Sequence, residues 1–168
     1  MKKLLALLFA LVSTVSVFAF AGCDGDDNSA KQLDKQYVNL TVEEVVFTAT
    51  DEVLTLDNST SMKDYMDALA SAGQLVFDGE NSEYGYYLTS IYGRGSKTVE
   101  ATMNSYKGFD WAIYTTLSTL DGVNYADTSA TYAYGNITLY KSSYGISYLP
   151  CVEGETYALI YEYSEMSW

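Results

Sequence analysis

The sequence predicts an α+β domain in which one main helix packs on a mostly antiparallel sheet. One early segment spaces its apolar residues as a helix does, and many later segments alternate and are rich in β-branched and aromatic residues. Proline occurs once, as Pro150, which favours long paired strands over a linker array.

The first elements are strands. Residues 37–42 alternate between apolar and polar side chains, and the strand is expected to continue through residues 45–47. Residues 53–56 predict a second, short strand.

The helix follows directly. Its apolar positions recur at i, i+3, i+4 and i+7, and are Met62, Tyr65, Met66 and Leu69. A hydroxyl side chain is expected to cap its start, from among Ser59, Thr60 and Ser61. Gly73 is placed to end it in a left-handed conformation. This apolar face is predicted to lie in the core.

Strand patterns fill the rest of the chain. They cover residues 75–77, 86–92, 109–117, 132–134, 137–140, 146–149 and 156–163, with turns expected at Asp78-Gly79, Asp121-Gly122 and Glu153-Gly154. The polar, tyrosine-rich stretch 118–143 is compatible with a lid, an edge hairpin or an insertion.

The N-terminus has the pattern of an export signal. Lys2 and Lys3 precede an apolar run over residues 4–20. The run ends in Phe20-Ala21-Gly22-Cys23, which resembles the lipobox of bacterial lipoproteins. The resemblance implies cleavage before Cys23, a lipid on its sulfur, and an extracytoplasmic protein anchored to the bacterial cell membrane. An uncleaved anchor helix and ordinary signal cleavage after Ala21 are the alternatives.

This leader divides the chain into three parts. They are a signal peptide at residues 1–22, a flexible tether at 23–35 and one domain at 36–168. Cleavage leaves seven Lys and Arg residues against 22 Asp and Glu residues, a net charge near −15. Such a surface repels nucleic acid and anionic lipid headgroups. The membrane contact is therefore expected to be the lipid, not the protein surface.

The two cysteines have different settings. If Cys23 is lipidated, Cys151 has no partner, and its neighbours Leu149, Pro150 and Val152 predict a buried, inert thiol. Ordinary signal cleavage leaves a Cys23–Cys151 disulfide open.

Residues for catalysis are scarce. The chain has no histidine, no Cys-x-x-Cys and no phosphate-binding loop, which removes histidine-dependent triads and the usual zinc sites. We expect no enzyme, no catalytic residues, no metal and no cofactor. Tyrosine is abundant instead, with 17 residues. Tyrosine is favoured at binding surfaces, and also within strands.

Three segments resemble the transcobalamin-like C-terminal domain of bacterial surface lipoproteins. They are EYGYYLTSIYG at residues 83–93, DWAIY at 110–114, and GISYL with VEGETY at 145–149 and 152–157. The family's Asn-Gly hairpin after the tryptophan strand is missing here. The resemblance implies a small β-grasp-like fold and a binding role. In the cobalamin carriers, a separate helical domain completes the pocket.

Two functions follow as expectations. The first is a non-catalytic, lipid-anchored module whose tyrosine-rich surface binds a protein or an envelope polymer. The alternative is a substrate-binding lipoprotein that captures cobalamin or a related corrinoid in an aromatic concavity near Tyr86, Trp111 and Tyr148. The candidate ligand- or partner-binding residues are Tyr84, Tyr86, Tyr87, Trp111, Tyr114 and Tyr148.

Overall fold

The computed structural model of the protein describes residues 38–40 and 43–167. The expected signal peptide at residues 1–22, the lipidation site Cys23 and the tether at 23–35 lie outside the described residues. No helix in the described part of the chain is long and apolar enough to cross a membrane.

Strands dominate this part of the chain, in the order β1 (Val38–Leu40), β2 (Glu44–Thr48), α1 (Met62–Ser71), β3 (Phe77–Ser82), β4 (Gly85–Ile91), β5 (Arg94–Gly95), β6 (Lys97–Ala101), β7 (Ser105–Thr115), β8 (Thr119–Leu120), β9 (Val123–Asn124), β10 (Ala126–Tyr134), β11 (Ile137–Ser142) and β12 (Thr156–Ser167). The described part of the chain is mostly β, with 55% strand, 8% helix and several antiparallel sheets.

The prediction of an α+β, β-grasp-like domain with one main helix packed on a sheet is therefore wrong. The sequence pattern missed much of the strand content because pairing extends strands into polar, exposed stretches. Strand β6 is exposed along its whole length, yet it pairs with β7. Such segments have no apolar alternation, and their neighbours determine that they are strands.

The main sheet is built around two long strands. Its order is β1-β2-β12-β7-β11-β10, and β6 also pairs with β7. Strands β7 and β12 pair without a register shift from Tyr157 opposite Thr115 to Ser167 opposite Ser105. Because this pair is long, one part of the sheet has a hydrophobic core on each face, and the rest of the two strands extends beyond both cores.

A bent strand joins the main sheet to the smaller β3-β4-β5 sheet. Strand β5 pairs with β4 and β6 pairs with β7, and only Ser96 separates them. The Ser96 N–H donates to the Thr89 carbonyl at 3.1 Å, so the chain keeps hydrogen bonding while it changes sheets.

Helix α1 forms where the periodicity predicts it. Ser61 caps its start: the Ser61 hydroxyl accepts from the Asp64 N–H, and the Asp64 carboxylate accepts from the Ser61 N–H. Gly73 follows the helix with a φ of 68°, the left-handed conformation that glycine adopts without strain. The buried face consists of the four predicted residues, Met62, Tyr65, Met66 and Leu69.

Phe47 is at the centre of the core between helix and sheet. Its ring centroid lies 5.3 Å from that of Tyr65 on α1 and 5.6 Å from that of Tyr157 on β12. The Tyr157 hydroxyl donates to the Pro150 carbonyl at 2.8 Å and accepts from the Val152 N–H at 2.9 Å. These bonds satisfy a buried hydroxyl and attach the 150–152 segment to the core.

A second core lies on the opposite face of the main sheet, formed by Val46, Tyr114, Leu139, Ala158 and Ile160. The β10–β11 hairpin contributes to it, and β11 pairs with β7. Stretch 118–143, whose shape the sequence left open, thus contains two hairpins, β8–β9 and β10–β11.

Five local predictions fail. The strand expected to continue from residues 37–42 through 45–47 is two antiparallel strands, β1 and β2, and only Phe77 of the strand predicted over 75–77 is in a strand. Residues 53–56 and 146–149 form turns and irregular segments, and Asp78-Gly79 lies inside β3 at a register shift instead of at a turn. Each is a short apolar or Gly-containing pattern that does not by itself distinguish a strand from a buried loop or a bulge.

Replacing Tyr157 by Phe should destabilise the protein by about 1–3 kcal/mol, because the partly buried Val152 N–H loses its acceptor and the Pro150 carbonyl loses its donor. Urea unfolding of the full-length protein measures this loss. Tyr163→Phe is the matched control, since Tyr163 is exposed, and its effect should stay within about 0.5 kcal/mol. Equal stability of the two variants would contradict the role assigned to the Tyr157 hydroxyl.

Two tyrosines of the second core should make stability fall at alkaline pH. Burial, together with a hydrogen bond to Glu162 for Tyr114 and to Glu44 for Tyr132, raises the pKa of each to about 12. Because both folded pKa values exceed the unfolded value, the stabilisation is complete below about pH 10 and is lost between about pH 10 and 12.

Urea unfolding across this pH range measures the loss, which amounts to up to about 1.4 kcal/mol per pH unit for each tyrosine. Tyr132→Phe removes one titrating group, so the slope should become shallower. An unchanged slope in this variant would show that Tyr132 ionises normally.

Candidate functional site

The β3–β4 hairpin presents an exposed tyrosine at its tip. The Ser82 hydroxyl donates to the Gly85 carbonyl at 2.8 Å and accepts from the Tyr84 N–H at 3.2 Å. Gly85 has a φ of 98°, which only glycine adopts readily. These contacts order the turn, and they leave Tyr84 82% exposed.

A second exposed tyrosine lies on the loop between β11 and β12. Buried Ile146 and Leu149 anchor this loop, and Tyr148 between them is 56% exposed. The loop also binds α1: the Met62 N–H donates to the Leu149 carbonyl at 2.8 Å, and the Lys63 N–H donates to the Ile146 carbonyl at 2.9 Å. Amides of the first helical turn have no partner inside a helix, so the loop satisfies them.

The two loops pack against each other. The Tyr86 N–H donates to the Ser147 hydroxyl at 2.9 Å. A Cβ at Gly85 would lie 2.8 Å from Cε2 of Tyr148, so the Tyr148 ring rests directly on the glycine backbone. Tyr148 therefore lies against Gly85, the residue that follows Tyr84 in the chain. We call this surface, formed by Tyr84, Gly85, Ser147 and Tyr148, the tyrosine face.

Tyr86 and Tyr87 follow the hairpin tip and point to opposite sides of β4. Tyr86 is half-buried, with its ring edge-on to Phe77 and the Lys63 ammonium 4.4 Å from its centroid. Burial raises the pKa of Tyr86. Tyr87 is exposed on the other side of the strand. Of this pair, the backbone of Tyr86 supports the tyrosine face, whereas its ring packs beside the core.

The structure places Trp111 and Tyr114 in the interior, which removes them from the predicted binding surface. Trp111 is 8% exposed, and its indole N–H donates to the Arg94 carbonyl at 2.8 Å. Tyr114 is 6% exposed on the opposite face of the sheet, where its hydroxyl donates to Glu162 at 3.0 Å. Burial of large aromatic area explains both positions, and aromatic character alone did not indicate it.

Sequence reasoning missed Ser147 and the role of Gly85. A glycine between two tyrosines was the available signal, since glycine permits close approach of a side chain to the backbone. Ser147 gave no signal, because its partner, the Tyr86 N–H, lies 61 residues away along the chain.

A cavity of about 170 Å³ lies beside the 150–153 segment, lined by Asp51, Leu56, Asp57, Asn58, Leu120, Pro150, Cys151, Val152 and Glu153. Cys151 is buried, as predicted, and it has no disulfide partner among the described residues; burial raises the pKa of its thiol to about 12. The thiol is therefore protonated near neutral pH and is a poor nucleophile.

Within the described ranges, no group of three or more His, Cys, Asp or Glu residues could hold a metal ion.

Comparison with known proteins found no match for this chain among protein-family models, curated proteins or solved structures. The interpretation of the site rests on its own geometry.

Ser147→Ala should loosen the tyrosine face, because the Tyr86 N–H loses its hydrogen-bond acceptor. We expect a loss of about 1 kcal/mol in unfolding free energy and faster hydrogen exchange at the Tyr86 amide. Ser143→Ala, at an exposed position on the same loop, is the control. Unchanged exchange at Tyr86 in Ser147→Ala would contradict the docking of the two loops.

Proposed function

We propose that this protein is a non-catalytic binding module, held outside the cytoplasm by a lipid on Cys23, that recognises a protein or an envelope polymer through the tyrosine face. The observation that supports this proposal is that two exposed tyrosines, Tyr84 and Tyr148, lie on two loops that pack against each other at Gly85 and Ser147.

The geometry suits recognition because the backbone under the rings is already ordered. Tyr84 follows a hydrogen-bonded turn, and Tyr148 rests on Gly85. A tyrosine has two side-chain torsions, so binding costs little conformational entropy when its backbone is already in place. Its ring stacks on apolar or sugar surfaces, and its hydroxyl supplies a hydrogen bond.

The net charge of −13 narrows the partner class. Nucleic acid is unfavourable because its phosphates need clustered Lys and Arg. A neutral or basic protein or polymer of the envelope meets no such repulsion. In this proposal the lipid gives membrane attachment and the tyrosine face gives partner recognition.

Co-sedimentation of the full-length protein with bacterial envelopes from which detergent has extracted the lipids tests the proposal, because the lipid on Cys23 then has no membrane to enter. Tyr84→Ala combined with Tyr148→Ala should reduce the bound fraction at least several-fold, as truncation of aromatic anchors does at interfaces. The matched control is Tyr87→Ala, which removes an exposed tyrosine on β4 outside the tyrosine face and should bind as the wild type does. Equal binding by the double variant would reject the tyrosine face as the recognition surface.

The alternative, capture of cobalamin or a related corrinoid, is implied by the family resemblance and has a separate test. Thermal unfolding of the full-length protein is followed with hydroxocobalamin and with cobinamide. A ligand at about 100 times its Kd stabilises by about 2.7 kcal/mol, which raises Tm by several degrees. A saturating rise would favour this alternative, and no rise would reject it.

A further inference from the structure

Strand β12 is paired along only part of one of its two edges. Along its other side it pairs with β7 over eleven residues. On the side of β2, pairing reaches Ile160 opposite Glu44, and the Tyr161 N–H then donates to the Glu43 carbonyl at 2.8 Å. Beyond that point, residues 163–167 have no strand partner on this side within residues 38–40 and 43–167.

Alternation along the strand determines which backbone groups face this edge. The N–H of Tyr161 points toward β2, so the N–H and C=O groups of Tyr163, Glu165 and Ser167 point the same way. The even-numbered residues between them bond to β7. The open edge, defined as residues 163–167 of β12, therefore presents a regular row of backbone donors and acceptors.

The open edge lacks most of the usual protection against strand addition. Proteins protect such edges with proline, a bulge or charged side chains, above all lysine, and the one charged side chain here is Glu165. Residues 163–167 contain neither proline nor lysine, and their pairing with β7 continues without a register shift. Tyr163, Glu165 and Met166 are exposed, so the described part of the chain does not cover them.

Charge identifies the kind of strand that fits. The protein has a net charge of −13, and Lys63, Arg94, Lys107 and Lys141 each already pair with a carboxylate. A second copy in antiparallel pairing across the open edge, with Tyr163 opposite Ser167, would set Glu165 against Glu165 of the other copy, and like charges directly opposite destabilise a sheet. A strand with basic side chains opposite Glu165 would be attracted to it instead of repelled.

The protein itself shows how a cation is accommodated on this face. The Arg94 guanidinium lies 4.1 Å from the Tyr161 ring centroid and bonds Glu43 at 3.2 Å. Tyr163 and Glu165, two and four residues further along β12, lie on the same face of the strand as Tyr161. An incoming basic side chain would find the Tyr163 ring there, and it would share the Glu165 carboxylate with Lys107, whose ammonium lies 3.2 Å from it.

We propose that the open edge of β12 accepts an extended basic segment of another protein as an additional β-strand. Backbone hydrogen bonds to Tyr163, Glu165 and Ser167 would hold this segment, and its basic side chains would lie on the face of Tyr163 and Glu165. This surface and its partner are distinct from the tyrosine face and its ligand.

The test uses a capped, fluorescein-labelled peptide of alternating lysine and valine, whose binding to the full-length protein is followed by fluorescence anisotropy. Glu165→Pro removes an N–H that faces the open edge and leaves the β7 pairing intact, so it should fold. Affinity should fall by about tenfold or more. Glu165→Ala keeps the N–H and should weaken binding by less.

Backbone methylation of the peptide gives a second test that does not depend on a variant. Methylating alternate amides blocks one edge of the peptide, so one of the two methylated sets should lose binding and the other should retain it. Retained binding with both sets, or with Glu165→Pro, would overturn strand addition.

Two further outcomes would overturn the proposal that the added strand is a basic segment of another protein. One is equal binding of a serine–valine peptide, which has no charge. The other is a dimer in sedimentation velocity that Glu165→Pro converts to monomer, since it would make a second copy the occupant.

Discussion

The stack of Tyr65, Phe47 and Tyr157 is the interaction on which the other features depend. It joins the helix to β2 and β12, and both hydroxyl groups bond backbone atoms. Through Pro150, the Tyr157 hydroxyl sets the end of the loop that carries Tyr148. The same loop satisfies helix amides and receives the β3–β4 hairpin. One buried aromatic contact therefore positions both loops of the tyrosine face.

The main sheet has two buried faces over part of its length and exposed strands beyond. Near Val46 and Ala158, one face of the sheet packs on the core that includes the helix, and the other face packs on the core that includes the β10–β11 hairpin. Strands β7 and β12 continue past both cores, where tyrosine, serine, glutamate and methionine replace the small apolar residues. Stability is concentrated in the first part, because burial supplies most of it. The second part is free to take an additional strand.

Tyrosine has at least three roles in this molecule. Tyr157 is a core residue with a satisfied hydroxyl, Tyr114 bonds a carboxylate under a hairpin, and Tyr84 is exposed at a turn. The residue type is the same in each case, and the environment differs. Because an aromatic ring favours burial and a hydroxyl favours water or a partner, only packing decides which tendency prevails.

By itself, the sequence determined the helix with its cap, the positions of most long strands and the buried thiol of Cys151, since these follow from local periodicity and composition. The tertiary structure alone decided the mostly β class, the interior positions of Trp111 and Tyr114, and the contact between Ser147 and the Tyr86 backbone. Sheet order, pairing of polar strands and contact between distant loops arise from residues far apart along the chain. Local patterns do not encode which of those residues meet, so the sequence named Tyr84 and Tyr148 among six candidate aromatic residues without indicating that their loops pack together.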